Sequence, residues 1–351
     1  PIPWVEWRHR EWTLRTTALA EGEPEAARLW TRYQLTNTSP REQTLTLALA
    51  ARPYQVNGPV QFLTVPGGVG PIEQIDWTGG ELVLSDSIRV RPLVAPDAVA
   101  MATFDEGADP DSLLMAERRL DPATRHVTSD RTHLPAGALI HDVTLAPGET
   151  RTFVLVTPLS GAATDLPASG SVEAAWNQVQ ARLKAEWKAK LDRVDLITPP
   201  EGQRIDDTVR SSLAHMLMSR QGPILQPGTR SYNRAWIRDG AMMAEGLNRL
   251  GWVSLSADFL EWFTPFLFDD GKVPCCADDR GSDPVPENDS HGEYIFLAAE
   301  TYRFDGDVER LRSVWPGVLG AIRYMDGLRT STRTAEFQTP ETRHLYGLLP
   351  P

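Results

Sequence analysis

Residues 171–194 read SVEAAWNQVQARLKAEWKAKLDRV, and they separate two parts of the chain that have different patterns. Apolar residues recur at every third or fourth position, at Val172, Trp176, Val179, Leu183, Trp187 and Leu191. That spacing places them on one face of a helix. The stretch therefore predicts a long amphipathic helix. Because a stripe that carries two tryptophans must pack on another surface, we expect it to lie at the seam between two domains.

Upstream of this helix, residues 1–165 follow the pattern of strands. Runs rich in β-branched and apolar residues alternate with turn clusters of Asn, Ser, Pro and Gly. The paired runs are 28–36 with 44–51, the two halves of 75–92, and the two halves of 138–159. Several hairpins without helices between them predict an antiparallel β-sandwich. One short helix is expected at 109–120.

The chain after residue 199 follows a helical pattern. Apolar residues at helical spacing predict five helices, in 204–220, 239–251, 256–268, 290–304 and 308–328. Pro316 lies inside the fifth helix and should kink or divide it. The sequence thus predicts a β-sandwich domain at 1–165, a linker with the amphipathic helix at 166–199, and a domain of helical hairpins at 200–351.

The lengths of the loops between these helices alternate. The loops before the second and fourth helices are long, and those before the third and fifth are short. Helical hairpins arranged in a ring have short turns on one rim and long loops on the other. Because binding residues concentrate in loops, we expect them on the rim with the long loops.

Composition excludes several classes of function. The net charge of −12 argues against a nucleic-acid partner, which would require clustered Lys and Arg. No apolar run is long enough to span a membrane, and the first residues show neither an initiator Met nor a signal-peptide pattern, as in an excised piece or a mature chain. The two cysteines, Cys275 and Cys276, are adjacent and are predicted to be free, buried thiols. No metal or cofactor is expected, because the ligand spacing of metal sites does not occur.

The first long loop contains the stretch SYNRAWIRDGAMM at 231–243. Asp239 alone could favour the first turn of a helix, and Trp236 alone could belong to the core. A helix start does not require Tyr232 and Arg238 beside them, however. An Arg offers fixed donors to pairs of oxygens, an Asp accepts from hydroxyl groups, and an aromatic ring covers the apolar face of a sugar. These four residues are therefore candidates for a saccharide pocket.

The second long loop, DDRGSDPVPENDSHGE at 278–293, is acidic. Its candidate site residues are Glu287, Asp289, His291 and Glu293. Ser290 and Glu293 also fit a capping box, in which Glu293 would bind only a backbone N–H. Asn288 or Asp289 could equally be the helix cap.

The order of these parts resembles that of six-hairpin glycosidases, which include glucoamylase-like, maltose-phosphorylase-like and glycogen-debranching-like enzymes. AWIRDGAMM (235–243) is similar to the Trp-x-Arg-Asp-Gly motif that opens the second toroid helix of glucoamylase-like members. PENDSHGEYIFLAAETYRFDGD (286–307) is similar to the stretch that opens the fourth. The resemblance implies the first part of an (α/α)6 toroid. It also implies that Arg238 and Asp239 hold the innermost sugar, that Trp236 lines the pocket, and that Asp289 and His291 are subsite residues.

The resemblance further implies a glycoside hydrolase that inverts the configuration at the anomeric carbon of its substrate. Two carboxyl groups then flank the scissile bond, one as acid and one as base. Asp289 and Glu287 are the candidates in this chain, although the family's own acid and base would fall beyond residue 351. The family toroid has twelve helices, so the remainder of the same protein or another chain would be needed to close the ring. A phosphorylase on the same scaffold and a non-catalytic carbohydrate-binding or assembly module are the alternatives.

Overall fold

A computed structural model of the chain divides it into two compact units. The first contains the described residues up to Lys188, and the second contains those from Ala189 onwards. The structure describes residues 2–23, 26–57, 68–159, 171–229 and 232–350. Most of the predicted linker at 160–171 lies outside the described residues.

The first unit consists of strands, two helices and short 3-10 turns. Its strands are β1 (Trp4–Arg8), β2 (Trp12–Glu21), β3 (Arg28–Asn37), β4 (Gln43–Ala51), β5 (Gln55–Asn57), β6 (Gly68–Val69), β7 (Gln74–Thr78), β8 (Glu81–Leu84), β9 (Ile88–Pro92), β10 (Ala98–Ala102), β11 (His126–Ser129), β12 (Ala136–Leu145) and β13 (Thr150–Pro158). Its helices are α1 (Pro110–Leu113) and α2 (Val172–Leu191), whose last three residues are assigned to the second unit. The predicted strand-rich region and the predicted amphipathic helix are both confirmed.

Two antiparallel sheets make up the body of the first unit. One has eight strands in the order β1-β2-β3-β13-β9-β8-β7-β11, and the other has three in the order β10-β12-β4. Their facing sides share one apolar core, with residues such as Leu35, Ile75, Trp77, Val99, Leu139 and Phe153. The predicted β-sandwich is therefore confirmed.

The hairpin predicted within 75–92 is also confirmed. β7 and β8 are joined at Gly79 and Gly80, whose φ angles of 59° and 80° lie in the left-handed region. Two-residue hairpin turns require this conformation, which only glycine adopts without strain.

The other two predicted hairpins are wrong, because the chain crosses between the sheets at both turns. β3 pairs with β13 in the large sheet, whereas β4 pairs with β12 in the small one. Asn37, at the end of β3, is fully buried and holds the two crossings together. Its Nδ2 donates to the carbonyl oxygens of Arg41 and Leu145, at 2.7 and 2.9 Å. Alternating polarity cannot distinguish such a crossing from a hairpin, because both need a tight polar turn.

Helix α2 packs on the outer face of the eight-stranded sheet. Its buried residues Trp176, Val179 and Leu183 lie in one cluster with Trp30 of β3 and Val154 of β13. The buried part of the predicted stripe thus has its partner surface within the first unit.

The second unit contains five helices in its described residues. They are α3 (Gln203–Ser219), α4 (Ile237–Arg249), α5 (Val253–Phe263), α6 (Ser290–Asp305) and α7 (Val308–Ser331). All five predicted helices are confirmed, with α5 shifted towards its N-terminus. The apolar core between them contains residues such as Ile237, Leu247, Phe259, Phe263, Tyr294 and Val318.

Pro316 does not divide α7, which runs unbroken from Val308 to Ser331. The proline removes the hydrogen bond that the carbonyl of Arg312 would accept. Since Pro316 is exposed, water can solvate that carbonyl, while Val314 and Val318 remain buried against the core. Within the described residues, no helix has both the length and the apolar character needed to cross a membrane.

Candidate functional site

A small sheet joins the two long loops that the sequence singled out. Its strands are β14 (Ala235–Trp236), β15 (Cys276–Asp278) and β16 (Gly281–Ser282), and β14 pairs antiparallel with β15. The ladder continues into α4, because the N–H of Ile237 donates to the carbonyl oxygen of Cys275 at 3.0 Å. The start of α4 is thereby fixed beside the loop that leads to α6.

Arg238, in the first turn of α4, binds two acidic residues from the second loop. Its Nη1 donates to Glu287 Oε2 at 2.9 Å and to Asp289 Oδ2 at 2.7 Å. These bonds raise the pKa of Arg238 above its ordinary value, with that to Asp289 the larger cause. Arg238, Glu287 and Asp289, predicted separately as site residues, are therefore brought together.

These three residues line a cleft of about 630 Å³. The residues that line it are Arg238, Pro286, Glu287, Asn288, Asp289, Tyr324, Leu328 and Pro350. The lining combines one cation, two carboxylates, an amide and a phenol with apolar surface, and this mixture suits a ligand that is rich in hydroxyl groups.

Five of the lining residues were not predicted as site residues: Pro286, Asn288, Tyr324, Leu328 and Pro350. Tyr324 and Leu328 lie on α7, and Pro350 is held by Asn288, whose Nδ2 donates to the carbonyl oxygen of Pro350 at 2.7 Å. Nothing in the local sequence marks them, because helical spacing alone does not show which turn of α7 faces α6. Tyr324 is the one tyrosine of α7, and its residue type is the only local signal that could have indicated it.

Of the alternatives for the start of α6, the capping box at Ser290 and Glu293 is wrong, and Asp289 as the helix cap is confirmed. The N-cap residue is Asp289, and Ser290 is already the first helical residue. The Asp289 carboxylate makes no cap hydrogen bond and turns to Arg238 instead. Glu293 is then not a capping residue. Burial, followed by the neighbouring Asp289 carboxylate, raises the pKa of Glu293, and Arg238 opposes that shift.

His291 lies behind the cleft rather than in its lining. Its side chain is 1% exposed, and its Nδ1 accepts the backbone N–H of Val273 at 3.2 Å. Its ring packs against that of Tyr324, with 4.9 Å between the ring centroids. Burial, and then the positive charge of Lys272, lowers the pKa of His291. In this position the neutral imidazole supports the Tyr324 ring.

Tyr232, Trp236 and Asp239 do not line this cleft. The rings of Tyr232 and Trp236 are 5.6 Å apart, and Tyr232 is 53% exposed. Asp239 lies in the first turn of α4, where a negative charge is favoured by the helix dipole. Successive residues of a helix point about 100° apart, so Arg238 and Asp239 face different directions.

A second arginine, Arg234, also ties the two loops together. It binds Asp283 through Nη1 at 2.6 Å and Asp278 through Nε at 3.0 Å. Cys275 and Cys276 are free and buried nearby, as predicted. Their thiols and Asp283 form the one group in the described part of the chain with the spacing of a metal site. The guanidinium of Arg234, however, already neutralises that carboxylate.

Comparisons with known proteins show no match to any family model and none to a curated protein sequence. The solved structures to which the chain is similar at low identity include the following three. One is assigned as a kojibiose phosphorylase from the human microbiome, with 9% identity and a TM-score of 0.45 over 88% of this chain and 42% of that one. A rhamnosidase from Klebsiella oxytoca, solved with rhamnose bound, has 10% identity and a TM-score of 0.34 over 95% and 58% of the two chains. A GH78 family rhamnosidase of Bacillus sp. GL1 has 8% identity and a TM-score of 0.24 over 91% and 33%.

This chain therefore spans less than two thirds of the length of each of these structures. Similarity at this level assigns neither an activity nor a substrate.

Proposed function

We propose that this chain belongs to a glycoside hydrolase and that it binds an oligosaccharide or polysaccharide in the cleft beside Arg238. The observation that carries the proposal is the way in which Glu287 and Asp289 hold the guanidinium group. Both carboxylates bind Nη1, which leaves the N–H groups of Nε and Nη2 without a hydrogen bond in the described residues. A guanidinium has five N–H donors in a fixed fork, so the free donors can bind neighbouring sugar hydroxyls.

The rest of the lining supports the same ligand class. Glu287, Asp289 and Asn288 supply acceptors for sugar O–H groups, and Tyr324 supplies an aromatic surface. Leu328 and Pro350 give apolar contact for the C–H groups of a sugar ring. A few fixed polar groups on an apolar surface are typical of small-molecule sites.

Charge favours hydrolysis over phosphorolysis in this cleft. Among the described residues that line it, Arg238 is the only basic one, and it is already paired with two carboxylates. A phosphate dianion would meet a lining with a net negative charge, whereas water would not be repelled.

The proposal also assigns parts to the acidic residues. Glu287 and Asp289 are bound to Arg238 and act in binding. The acid that protonates a leaving glycosidic oxygen must itself carry a proton. Glu287 and Asp289 are both engaged by Arg238, so we place that acid outside this cleft.

The test is calorimetric titration with a panel of α-linked oligosaccharides and rhamnosides, combined with chromatography of the products with and without phosphate. We expect saturable binding, and Arg238→Gln should weaken it at least about tenfold through loss of charged hydrogen bonds. Arg280→Gln is the matched control, because Arg280 lies in the second loop but outside the cleft lining. It should change the affinity less than twofold.

Three outcomes distinguish the alternatives. Free sugar released without phosphate supports the hydrolase, and a sugar phosphate formed only with phosphate supports a phosphorylase. Binding that depends on Arg238 without any product supports a non-catalytic module. An unchanged affinity in Arg238→Gln would remove the basis of the proposal.

A further inference from the structure

Two arginines lie side by side on the outer face of the eight-stranded sheet, far along the chain from the cleft residues. Arg15 is on β2 and Arg32 is on β3. Arg32 pairs in register with Thr17, and Arg15 pairs with Gln34, so the two arginines are diagonal neighbours on one face. Like charges at this spacing repel each other.

Each guanidinium lies over a tryptophan ring. The Cζ of Arg15 is 4.1 Å from the ring centroid of Trp4, and that of Arg32 is 4.5 Å from the ring centroid of Trp176 in α2. These rings hold the guanidinium planes in place but carry no net charge. Burial, and then the charge of Arg15, lowers the pKa of Arg32, as expected when no anion compensates it.

The same cluster contains four buried polar atoms without a hydrogen-bond partner in the described part of the chain. They are Arg15 Nε, Thr17 Oγ1, Arg32 Nε and Trp176 Nε1. Every one of these atoms can donate a hydrogen bond, and three of them can only donate. Thr17 and Trp176 are themselves 3% and 0% exposed. What this cluster lacks is an acceptor.

The nearest acidic residues on this face bind other groups. Glu6, opposite Arg15 in register, accepts from Arg8 Nε at 2.7 Å. The buried Glu21 accepts from Trp30 Nε1 at 2.7 Å and pairs with Arg182. Within the residues that the structure describes, neither Arg15 nor Arg32 forms an ion pair with a carboxylate.

We propose that Arg15 and Arg32 form a binding site for a tetrahedral oxyanion of the phosphate class, framed by Trp4 and Trp176. Such an anion has acceptor oxygens on every side and up to two negative charges. It therefore offsets the repulsion between the arginines and supplies acceptors for their partly exposed guanidinium groups. Two planar guanidinium forks match the oxygens of phosphate better than a single charge does. This site is independent of the saccharide cleft and of the function proposed for it.

The experiment is titration of the whole chain with inorganic phosphate, by calorimetry, at constant ionic strength set with chloride. We expect saturable binding of one phosphate and a higher midpoint of thermal unfolding in phosphate than in chloride. Arg15→Gln and Arg32→Gln should each weaken the affinity at least tenfold. Arg151→Gln, which removes an exposed charge from β13 of the same sheet, should change it less than twofold.

One further variant and one further ligand complete the test. Arg32→Lys keeps the charge and the fold but loses the planar fork, and we expect an affinity between those of the wild type and Arg32→Gln. Titration with a sugar monophosphate distinguishes the source of the phosphate group. An affinity equal to that of inorganic phosphate identifies free phosphate as sufficient. An affinity tenfold tighter than that of inorganic phosphate identifies a phosphorylated sugar as the ligand. No saturable binding of phosphate by the wild type would overturn the site. So would Arg15→Gln and Arg32→Gln variants that bind phosphate as well as Arg151→Gln does.

Discussion

Arg238 and Arg234 are the residues on which the geometry of the cleft depends. Arg238 binds Glu287 and Asp289, which lie 49 and 51 residues further along the chain, and Arg234 binds Asp283 at a separation of 49. Both arginines come from the first loop and all three carboxylates come from the second. The two loops are therefore joined by charged hydrogen bonds as well as by the β14–β15 ladder.

The sequence identified Arg238, Glu287 and Asp289 as site candidates, but it did not show that they pair. Residue type indicates what a side chain can bind, whereas the partner depends on which loops the helices bring together. The same limit explains Tyr324, which reaches the cleft only through the packing of α7 against α6. Ser290 and Glu293 show that a local pattern can also mislead, because they have the spacing of a capping box although the N-cap is Asp289, the alternative that the sequence also allowed.

At the scale of single residues, we predict that His291 makes folding sensitive to mildly acidic pH. Its folded pKa lies below its ordinary value of 6.5, so the unfolded chain binds the proton more readily. The contribution of His291 to the free energy of unfolding is therefore fully present above about pH 6.5. It is lost as the pH falls towards the folded pKa. Protonation of Nδ1 would also break the hydrogen bond from Val273. We expect a loss on the order of 1 kcal/mol between pH 7.5 and 5.5 in urea unfolding.

The variant His291→Asn tests this assignment, because its amide oxygen can still accept from Val273 but does not titrate in this range. It should lose less stability than the wild type between the two pH values. His344→Asn is the control, since His344 is exposed. A pH dependence that is the same in His291→Asn and in the wild type would contradict the prediction.

At the scale of elements, α4 and α5 approach each other closely at a glycine. A Cβ atom added at Gly240 would lie 2.2 Å from Cζ of the Phe259 ring, which is fully buried. The substitution Gly240→Ala should therefore destabilise the fold by about 1–3 kcal/mol through overpacking, although alanine is the better helix former. Urea unfolding measures this change directly.

Gly327→Ala provides the matched control on α7. A Cβ atom there meets nothing within 4 Å, so the usual helix preference should stabilise the protein by about 0.5–1 kcal/mol. If both substitutions stabilised the protein, the close contact between α4 and α5 at Gly240 would be contradicted. The sequence predicted both helices from their apolar spacing, but it could not show where their surfaces touch.

At the scale of the whole chain, the order of strands before helices was predictable and the path of the strands was not. Alternating apolar residues predicted the sandwich, and the 3.6-residue period predicted all five helices. The two crossings between the sheets depend on Asn37, a buried amide whose partners come from both turns. Single-sequence patterns do not reveal such a long-range contact.

Helix α7 leaves an apolar stripe exposed in the described chain. Trp315, Leu319 and Ile322 lie on successive turns and are 47%, 38% and 39% exposed. The prediction that further helices or another chain complete the ring stays a prediction.

The most direct test of the proposed function is a crystal structure of the chain soaked with the saccharide that binds most tightly in the calorimetric panel. We predict electron density for a sugar ring in the cleft, with hydroxyl groups within hydrogen-bond distance of Arg238 Nε or Nη2 and of Asp289, and with the ring near Tyr324. Sugar density at another surface, with the Arg238 cleft filled only by water, would contradict the account.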